Sequence, residues 1–490
     1  MGRRRFLTML VAAPTLTLAT RFLAPEPVAE AALLPSVGDI IDLGDVLILA
    51  GAPTAHMLVL QVRGDGTVHF ELPRTEVGQG ITTAVAMLVA EELDLPLSQV
   101  DVTLADARPE LVFNQLTGSS NTIRSMYDPI RSTAAHARAR LVGAAARQWG
   151  VAASTLSTRD GVVVAPDGRT ATYGALTSAA SDASLPVPAA APKAESAHRL
   201  VGTAVSRTDA RDMVTGRQRY TLDLDVPGAM PTVVERPPTV GGSVRTVDSV
   251  AARAMPGVLG VTVLPTGVAV TAETFGQALA ARDALRVTWN SGTIDGLSDV
   301  DIRKRLRAAA LPFVVPALLT KTVGAEFDFA FASHAPMETN SAVADVRGDR
   351  AEIWSSLKSP IVAKQTIARA IGLSEDKVTV HVVQGGGSFG RRLFFDAALE
   401  AAQVSKKLGR PVKLMWTRVD DTRHGRMRPA THHKVRATLA LGGVLAYEHR
   451  VAAVETDFGH GLGEILSATA ASLPVVGNLT MAQSIFATTV

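Results

Sequence analysis

The sequence predicts a multidomain α+β protein, on three observations. The chain has 490 residues, which is three or four cores' worth when a domain takes roughly 100–200 residues. Short β-prone runs broken by Gly and Asp turns alternate with helical patterns, with no internal repeat. A stretch from Ser181 to Ser196, rich in Ala, Pro and Ser, interrupts that alternation and reads as an interdomain linker. Hydrophobic residues make up 47% and charged residues 19%, the balance of a globular chain.

Met1 to about Ala31 reads as an export signal. Arg3-Arg4-Arg5-Phe6-Leu7 is basic, a weakly apolar stretch follows to Ala19, and Ala29-Glu30-Ala31 has the form of a cleavage site. Paired arginines before Phe-Leu resemble the twin-arginine motif, whose route exports folded proteins. That places the protein in the periplasm or on the outer face of the cytoplasmic membrane. The apolar run is too short for a hydrocarbon layer of about 30 Å, and no other segment reads as transmembrane. Val46–Leu60, broken by Gly51, Pro53 and His56, is expected to form two strands around a turn.

A first unit is expected over 36–180. Asp65-Gly66 is the tight turn of a hairpin over Gln61–Phe70. Helices are predicted over Ile81–Leu93 and from about Pro129 to Trp149, with Asp128 as N-cap. Ala165-Pro166-Asp167-Gly168 marks a second hairpin. After a linker at 181–197, a second unit of strands with short helices spans about 198–295. A basic helical portion at Ile302–Ala310 leads to a third unit, 320–490. It runs strand, helix, strand, Gly-rich loop, helix, strand. Its last ten residues, Met481–Val490, are apolar and β-prone, so the unit is expected to be incomplete.

Composition excludes several classes. Net charge is +3, and residues 1–31 hold four Arg and two Glu. The rest is close to neutral, which argues against a nucleic-acid surface. Aromatics are only 4%, too few for base-stacking platforms. There is no cysteine. Cys-ligated iron–sulfur clusters, Cys zinc sites and disulfides are therefore impossible within this chain.

Three loops carry candidate chemistry. Glu76-Val77-Gly78-Gln79-Gly80 joins a strand to a helix. Its glycines allow close approach to a ligand, the helix start offers N–H groups to a phosphate, and Gln79 adds an amide. Leu116–Thr122, with Gly118, Ser119 and Ser120, is a hydroxyl-rich loop before the second long helix. Lys377–Val383 is a strand that leads into Gln384-Gly385-Gly386-Gly387-Ser388-Phe389-Gly390-Arg391-Arg392. There Phe389 suits a pocket wall, and the arginines either balance an anion or are solvated. Each of the first two, read alone, also fits an ordinary turn. Gly385, Gly387 and Gly390 match a dinucleotide fingerprint, but its acid arrives late, at Asp420. No Gly-Lys-Ser/Thr follows, which excludes a P-loop. His334-Ala-Pro-Met-Glu338 reads as packing, and His432 and His433 would face opposite ways on a strand. Neither pair makes a metal site.

Together these stretches, with Asp209–Gly228, resemble the molybdopterin-binding subunit of the xanthine dehydrogenase/aldehyde oxidase family, in its isoquinoline 1-oxidoreductase beta branch. The order of the segments matches that branch. The resemblance implies two molybdopterin-binding regions flanking a hammerhead-type α+β domain at 198–295. It puts Gly78, Gln79, Gly80, Ser119 and Ser120 at the pterin, in its cytosine dinucleotide form. Gly386, Gly387, Phe389 and Gly390 fall beside the molybdenum. It also implies [2Fe-2S] clusters on a partner subunit, N-heterocycle or aldehyde substrates, and a cytochrome-type electron acceptor. The substrate itself cannot be read from the residues.

Two departures bear on catalysis. Where the family commonly has a glutamine after the strand at Ala351–Trp354, this chain has Ser355-Ser356-Leu357-Lys358-Ser359-Pro360, with Lys358 nearest the place. The family's basic glutamate follows Gly-x-Gly near the far C-terminus. Gly461-Leu462-Gly463-Glu464 has that form but sits early, so the base is expected beyond Val490 or on another polypeptide. The competing expectations are a non-catalytic fragment of such a subunit and a nicotinamide-dependent dehydrogenase.

Overall fold

A computed structural model describes residues 15–19, 47–48, 51–111, 113–314, 321–440, 442–456, 459 and 461. The α+β prediction holds: helices and mixed sheets build several packed layers. Most of the export-signal reading, Glu464 and Met481–Val490 lie outside the described residues.

The first unit is a four-stranded sheet covered by two long helices. Its strands, in order across the sheet, are β1 (Leu16–Ala19), β2 (Val59–Val62), β3 (Val68–Leu72) and β4 (Val100–Leu104). Val68, Phe70 and Leu72 alternate inward on β3, as a half-buried strand requires. The predicted hairpin is β2–β3. β3 and β4 run parallel, with Leu72 opposite Leu104. Leu16–Ala19, inside the stretch read as a signal, pairs antiparallel with β2, and Leu16 is buried. Of the two strands expected over 46–60, the described residues show only the second, from Val59. Pro53 instead opens a short 3-10 turn over Ala52–Thr54.

Helix α1 spans Ile81–Leu93, as predicted. Helix α2 corrects its prediction by starting eight residues early, at Asn121, and running through Pro129 to Trp149. A proline removes one ladder bond at an interior position. The helix continues because Met126, Ile130 and Ala134 are buried against α1 and the sheet. The Ser181–Ser196 stretch lies against this pair rather than hanging free. The Pro186 carbonyl lies 3.0 Å from where a Cβ on Gly143 would sit, and Lys193 N donates to Glu92 at 3.0 Å.

The second and third units share one seven-stranded sheet. Its order is β6 (Val258–Leu264), β7 (Gly267–Ala272), β5 (Met230–Glu235), β12 (Val412–Met415), β9 (Ser341–Arg347), β10 (Arg350–Ser355), β11 (Val378–Val382). The parallel pair β5–β12 joins the two units. β10 and β11 are also parallel, with Ser355 opposite Val382. Helix α3 (Phe275–Asp283) packs on β5 and β7. A separate sheet of β8 (Lys321–Phe329), β13 (Thr431–Ala440) and β14 (Gly443–Ala453) is covered on one side by α4 (Asp299–Ala309). Helices α5 (Pro360–Ile371) and α6 (Asp396–Leu408) cover the seven-stranded sheet and supply Ile361, Ile367, Ala398 and Val404 to its core.

Candidate functional site

Two of the three parallel strand pairs, β3–β4 and β10–β11, decide where the site lies. Loops at the carboxyl ends of adjacent parallel strands form the usual ligand crevice of an open sheet. β3 and β4 release 73–80 and 105–120 at such ends, and β10 and β11 release 356–359 and 383–392. These four loops meet. Gly385 N donates to the Glu76 carbonyl at 2.9 Å, Lys358 N to Arg392 O at 2.9 Å, and Thr117 N to Lys358 O at 3.0 Å. Thr75 N donates to Thr117 Oγ1 at 2.8 Å, and the Thr75 hydroxyl donates to Leu357 O. The turns carrying Gln79 and Phe389 are thus neighbours despite about 300 intervening residues.

The first loop is built around Glu76, a residue that sequence reasoning passed over. Its side chain is fully buried. Oε1 accepts from Gly78 N at 2.8 Å and Gly80 N at 3.0 Å, and Oε2 from Thr82 N at 3.2 Å. This corrects the expectation of a phosphate at the start of α1. The carboxylate already occupies that helix end, where a negative group is favoured. Gln79 is exposed, but its amide is spent on its own loop: Oε1 accepts from Val77 N at 2.7 Å and Nε2 donates to Thr75 O at 2.8 Å. Gly78 and Gly80 both have positive φ. Arg207, another residue missed, donates to Gly78 O at 2.7 Å and pairs with Asp209 at 2.7 Å, while Gln384 Nε2 donates to Asp209 at 3.0 Å. The only sequence clue to Arg207 was its place beside Asp209.

Ser119 and Ser120 sit at the start of α2, both with positive φ and both exposed. Neither uses its hydroxyl to cap the helix. Among the described residues that end, unlike the start of α1, has no carboxylate in its first turn.

The glycine-rich loop is held by Glu338. Glu338 N donates to Gly386 O at 3.0 Å and Gly386 N returns a bond to Glu338 Oε2 at 2.9 Å. A Cβ on Gly386 would lie 2.8 Å from Glu338 Cβ, and one on Gly385 only 2.1 Å from Ser356 Oγ. Both positions need glycine because of close approach. The packing reading of His334–Glu338 missed this clamp. Arg391 and Arg392 correct both alternatives offered for them. They are neither solvated nor free for an anion, being 1% and 2% exposed. Arg391 pairs with Asp396 at 2.8 Å, and Arg392 with Glu338 at 2.9 Å. A buried guanidinium has to find such partners. Phe389, by contrast, has φ 54 and is 65% exposed, and Gly387 and Gly390 beside it also have positive φ.

Two polar groups at the confluence lack partners. Ser356 Oγ is buried with no hydrogen bond. Lys358 is half-buried, forms no ion pair among the described residues, and burial pushes its pKa down to about 8. Asp420, the acid a nicotinamide reading would need, is committed instead: it accepts from Thr417 N at 2.7 Å and Thr417 Oγ1 at 2.6 Å. His432 and His433 do face opposite ways, toward Asp328 at 2.8 Å and His449 at 2.8 Å. No cluster of three or more His, Asp or Glu able to hold a metal exists among the described residues. Gly461 is placed against Leu393 O, next to the glycine-rich loop.

Two family models, both described as a molybdopterin cofactor-binding domain, match residues 45–215 and 317–474. The chain is 32% identical over 458 residues to the beta chain of isoquinoline 1-oxidoreductase from Brevundimonas diminuta, covering 80% of this chain and 58% of that one. A nicotinate dehydrogenase component from Pseudomonas putida is 30% identical over 387 residues, with 74% and 32% covered. A membrane-bound aldehyde dehydrogenase (pyrroloquinoline-quinone) of Gluconacetobacter polyoxogenes is 29% identical over 427 residues, with 79% and 54% covered. Among solved structures, quinoline 2-oxidoreductase from Pseudomonas putida 86 aligns with a TM-score of 0.42 at 20% identity, covering 51% of this chain and 38% of that one. The chain thus spans 32% to 58% of the length of these three curated relatives.

Proposed function

The chain belongs to the molybdenum-cofactor-binding subunits of the xanthine oxidase family, and from that premise we propose that it holds the cofactor of an oxidoreductase acting on N-heterocycles or aldehydes. The observation that carries this is the meeting of loops 75–80, 116–120, 356–359 and 384–392 at the carboxyl ends of two parallel strand pairs. Both matched domains contribute to that meeting point. Relatives named as an isoquinoline oxidoreductase, a nicotinate dehydrogenase and an aldehyde dehydrogenase support the substrate class.

The residues present fit a bulky anionic pterin. Ser119 and Ser120 offer hydroxyls at an open helix start, where an anion is favoured. Phe389 is exposed in a strained conformation, a combination that marks ligand contacts. Ser356 Oγ is buried without a partner. Gly78, Gln79, Gly80, Gly386, Gly387 and Gly390 supply the close backbone between them. When bound, the cofactor supplies two-electron oxidation with an oxygen from water, chemistry no side chain here has. The chain's own part is orientation. Glu76 and Glu338 stiffen the two glycine loops, and the exposed Phe389 offers a wall to the ligand. We assign an iron–sulfur subunit as the electron outlet, because the chain has no cysteine of its own, and the cytosine dinucleotide form on the family resemblance alone. Twin-arginine export to the periplasm completes the proposal, resting on Arg3-Arg4-Arg5-Phe6-Leu7.

Metal and nucleotide analysis of the chain, purified with its iron–sulfur partner, tests the reading. Molybdenum and a released cytosine nucleotide in equal amounts are expected. A preparation that contains neither, though folded, overturns it.

A further inference from the structure

We propose that a cleft at the seam of the second and third units binds an aromatic carboxylate, at a site separate from the cofactor. The cleft measures about 450 Å³, within the range of small-molecule sites. None of its lining residues belongs to the four loops that meet at the cofactor. One wall is the end of β5, which runs on into Pro237 and Pro238. Trp289, half-buried on the strand Arg286–Asn290, supplies a second wall. The third comes from the short helix Arg418–Arg423 and from His424, which follows it.

The acceptors in this cleft are engaged, while several donors are not. Arg236 is buried, and Glu400 holds both its Nη groups at 2.8 Å. Its Nε is left without a hydrogen bond, 3.6 Å from Asp420. Asp420 is itself committed to Thr417 N and Oγ1. Glu235 lies 3.7 Å from Arg282, which also pairs with Asp283 at 2.8 Å. Arg236 and Arg282 are therefore neutralised where they stand. Arg423 is not: it is exposed, and its guanidinium makes no hydrogen bond or ion pair among the described residues. The Trp289 indole N–H makes none either. Burial holds the His424 pKa below its ordinary 6.5, so at neutral pH its imidazole adds no charge. One unmatched cation therefore calls for a single negative charge, and arginine takes a carboxylate through two parallel N–H bonds. The indole face and the two prolines call for a flat apolar body. The carboxylate is thus placed on Arg423 and the ring against Trp289.

Fluorine NMR of para-fluorobenzoate titrated into the full chain tests this. Saturable binding is expected, weakened about tenfold by Arg423→Gln and also weakened by Trp289→Leu. The neutral para-fluorobenzamide should bind about tenfold more weakly than the acid. Arg423 is exposed and unpaired, so Arg423→Gln should melt with the parent and its loss of binding is not a loss of fold. Phe389→Ala, in the cofactor cleft, should leave the affinity unchanged. The proposal is overturned if the acid does not saturate, if the amide binds as well, or if Arg423→Gln and Trp289→Leu bind like the parent. Binding abolished by Phe389→Ala would place the acid in the cofactor cleft and overturn it too. The readout needs no bound molybdenum, so it stands or falls apart from the cofactor reading.

Discussion

Phe389 holds a bulky side chain at φ 54 and leaves it 65% exposed. Such a conformation costs on the order of 1 kcal/mol or more for a residue other than glycine, and exposure recovers little of that. Phe389→Gly is therefore expected to leave the melting temperature unchanged or slightly raised, while the retained molybdenum falls severalfold. Calorimetry and metal analysis on the same samples check both halves. A lower melting temperature would show that Phe389 serves packing instead. Glu76 carries the opposite expectation. Its buried carboxylate answers three backbone N–H groups, so Glu76→Ala should cost about 3 kcal/mol in chemical denaturation, and Glu76→Gln roughly half. The glycines of these loops were legible in the sequence because their spacing is conspicuous. Glu76, Glu338 and Arg207 were not, since a lone charged residue beside a turn looks the same whether it is solvated or buried as a clamp. Only the fold decides whether a carboxylate faces three N–H groups or water.

Among the elements, α1 was readable from Ile81 to Leu93 because its apolar spacing and its flanking Gly80 agree. The start of α2 was not, because Pro129 is the strongest local stop signal in the segment. Burial of Met126 and Ile130 overrides it, and no local rule weighs tertiary packing against a missing N–H. The Ala-, Pro- and Ser-rich stretch likewise read as a tether but is strapped to α1 through Lys193, whose N–H donates to Glu92 at 3.0 Å, and the chain just beyond it is clamped as well. Glu91 accepts from Leu200 N at 2.6 Å, Arg199 N at 2.9 Å and Val201 N at 3.1 Å. Burial pushes the Glu91 carboxyl up, but the N–H groups of Leu200, Val201 and Arg199, with Lys193, outweigh it and hold it at about 2, below its ordinary 4.5. Because the folded value lies below the unfolded one, this stabilisation is full above about pH 4.5. It is lost as the pH falls toward 2. Glu91→Gln should therefore be less stable than the parent at pH 7, with the difference closing between pH 4.5 and 2. A gap that stays constant across that range would mean the clamp does not depend on charge.

At the scale of the molecule, the boundary read near residue 295 does not separate two sheets. The sequence shows two composition blocks, and nothing in a one-dimensional pattern reveals that β5 from one block pairs with β12 from the other. Beside that seam lies a buried ion pair. Arg236 Nη1 and Nη2 donate to Glu400 Oε1 and Oε2, each at 2.8 Å, Trp416 Nε1 donates to Glu400 Oε2 at 2.8 Å, and the Arg236 guanidinium lies 3.8 Å from the Trp416 ring. Glu400 comes from α6 and Arg236 from the end of β5, so the pair spans the seam. Removing one partner of a buried pair strands the other charge and costs about 3–5 kcal/mol. Replacing both with apolar residues of similar volume costs far less. Glu400→Leu is accordingly expected to lower the unfolding free energy by that amount, and the double variant Arg236→Met with Glu400→Leu to recover most of it. Because the sheet is continuous, strands from both blocks should be lost in one transition in wild type and variants alike. Hydrogen exchange followed through the denaturation range reads this directly. Amides of β7 and β9 should lose protection at the same denaturant concentration, and a β7 that opens first would show two independently stable domains packed edge to edge.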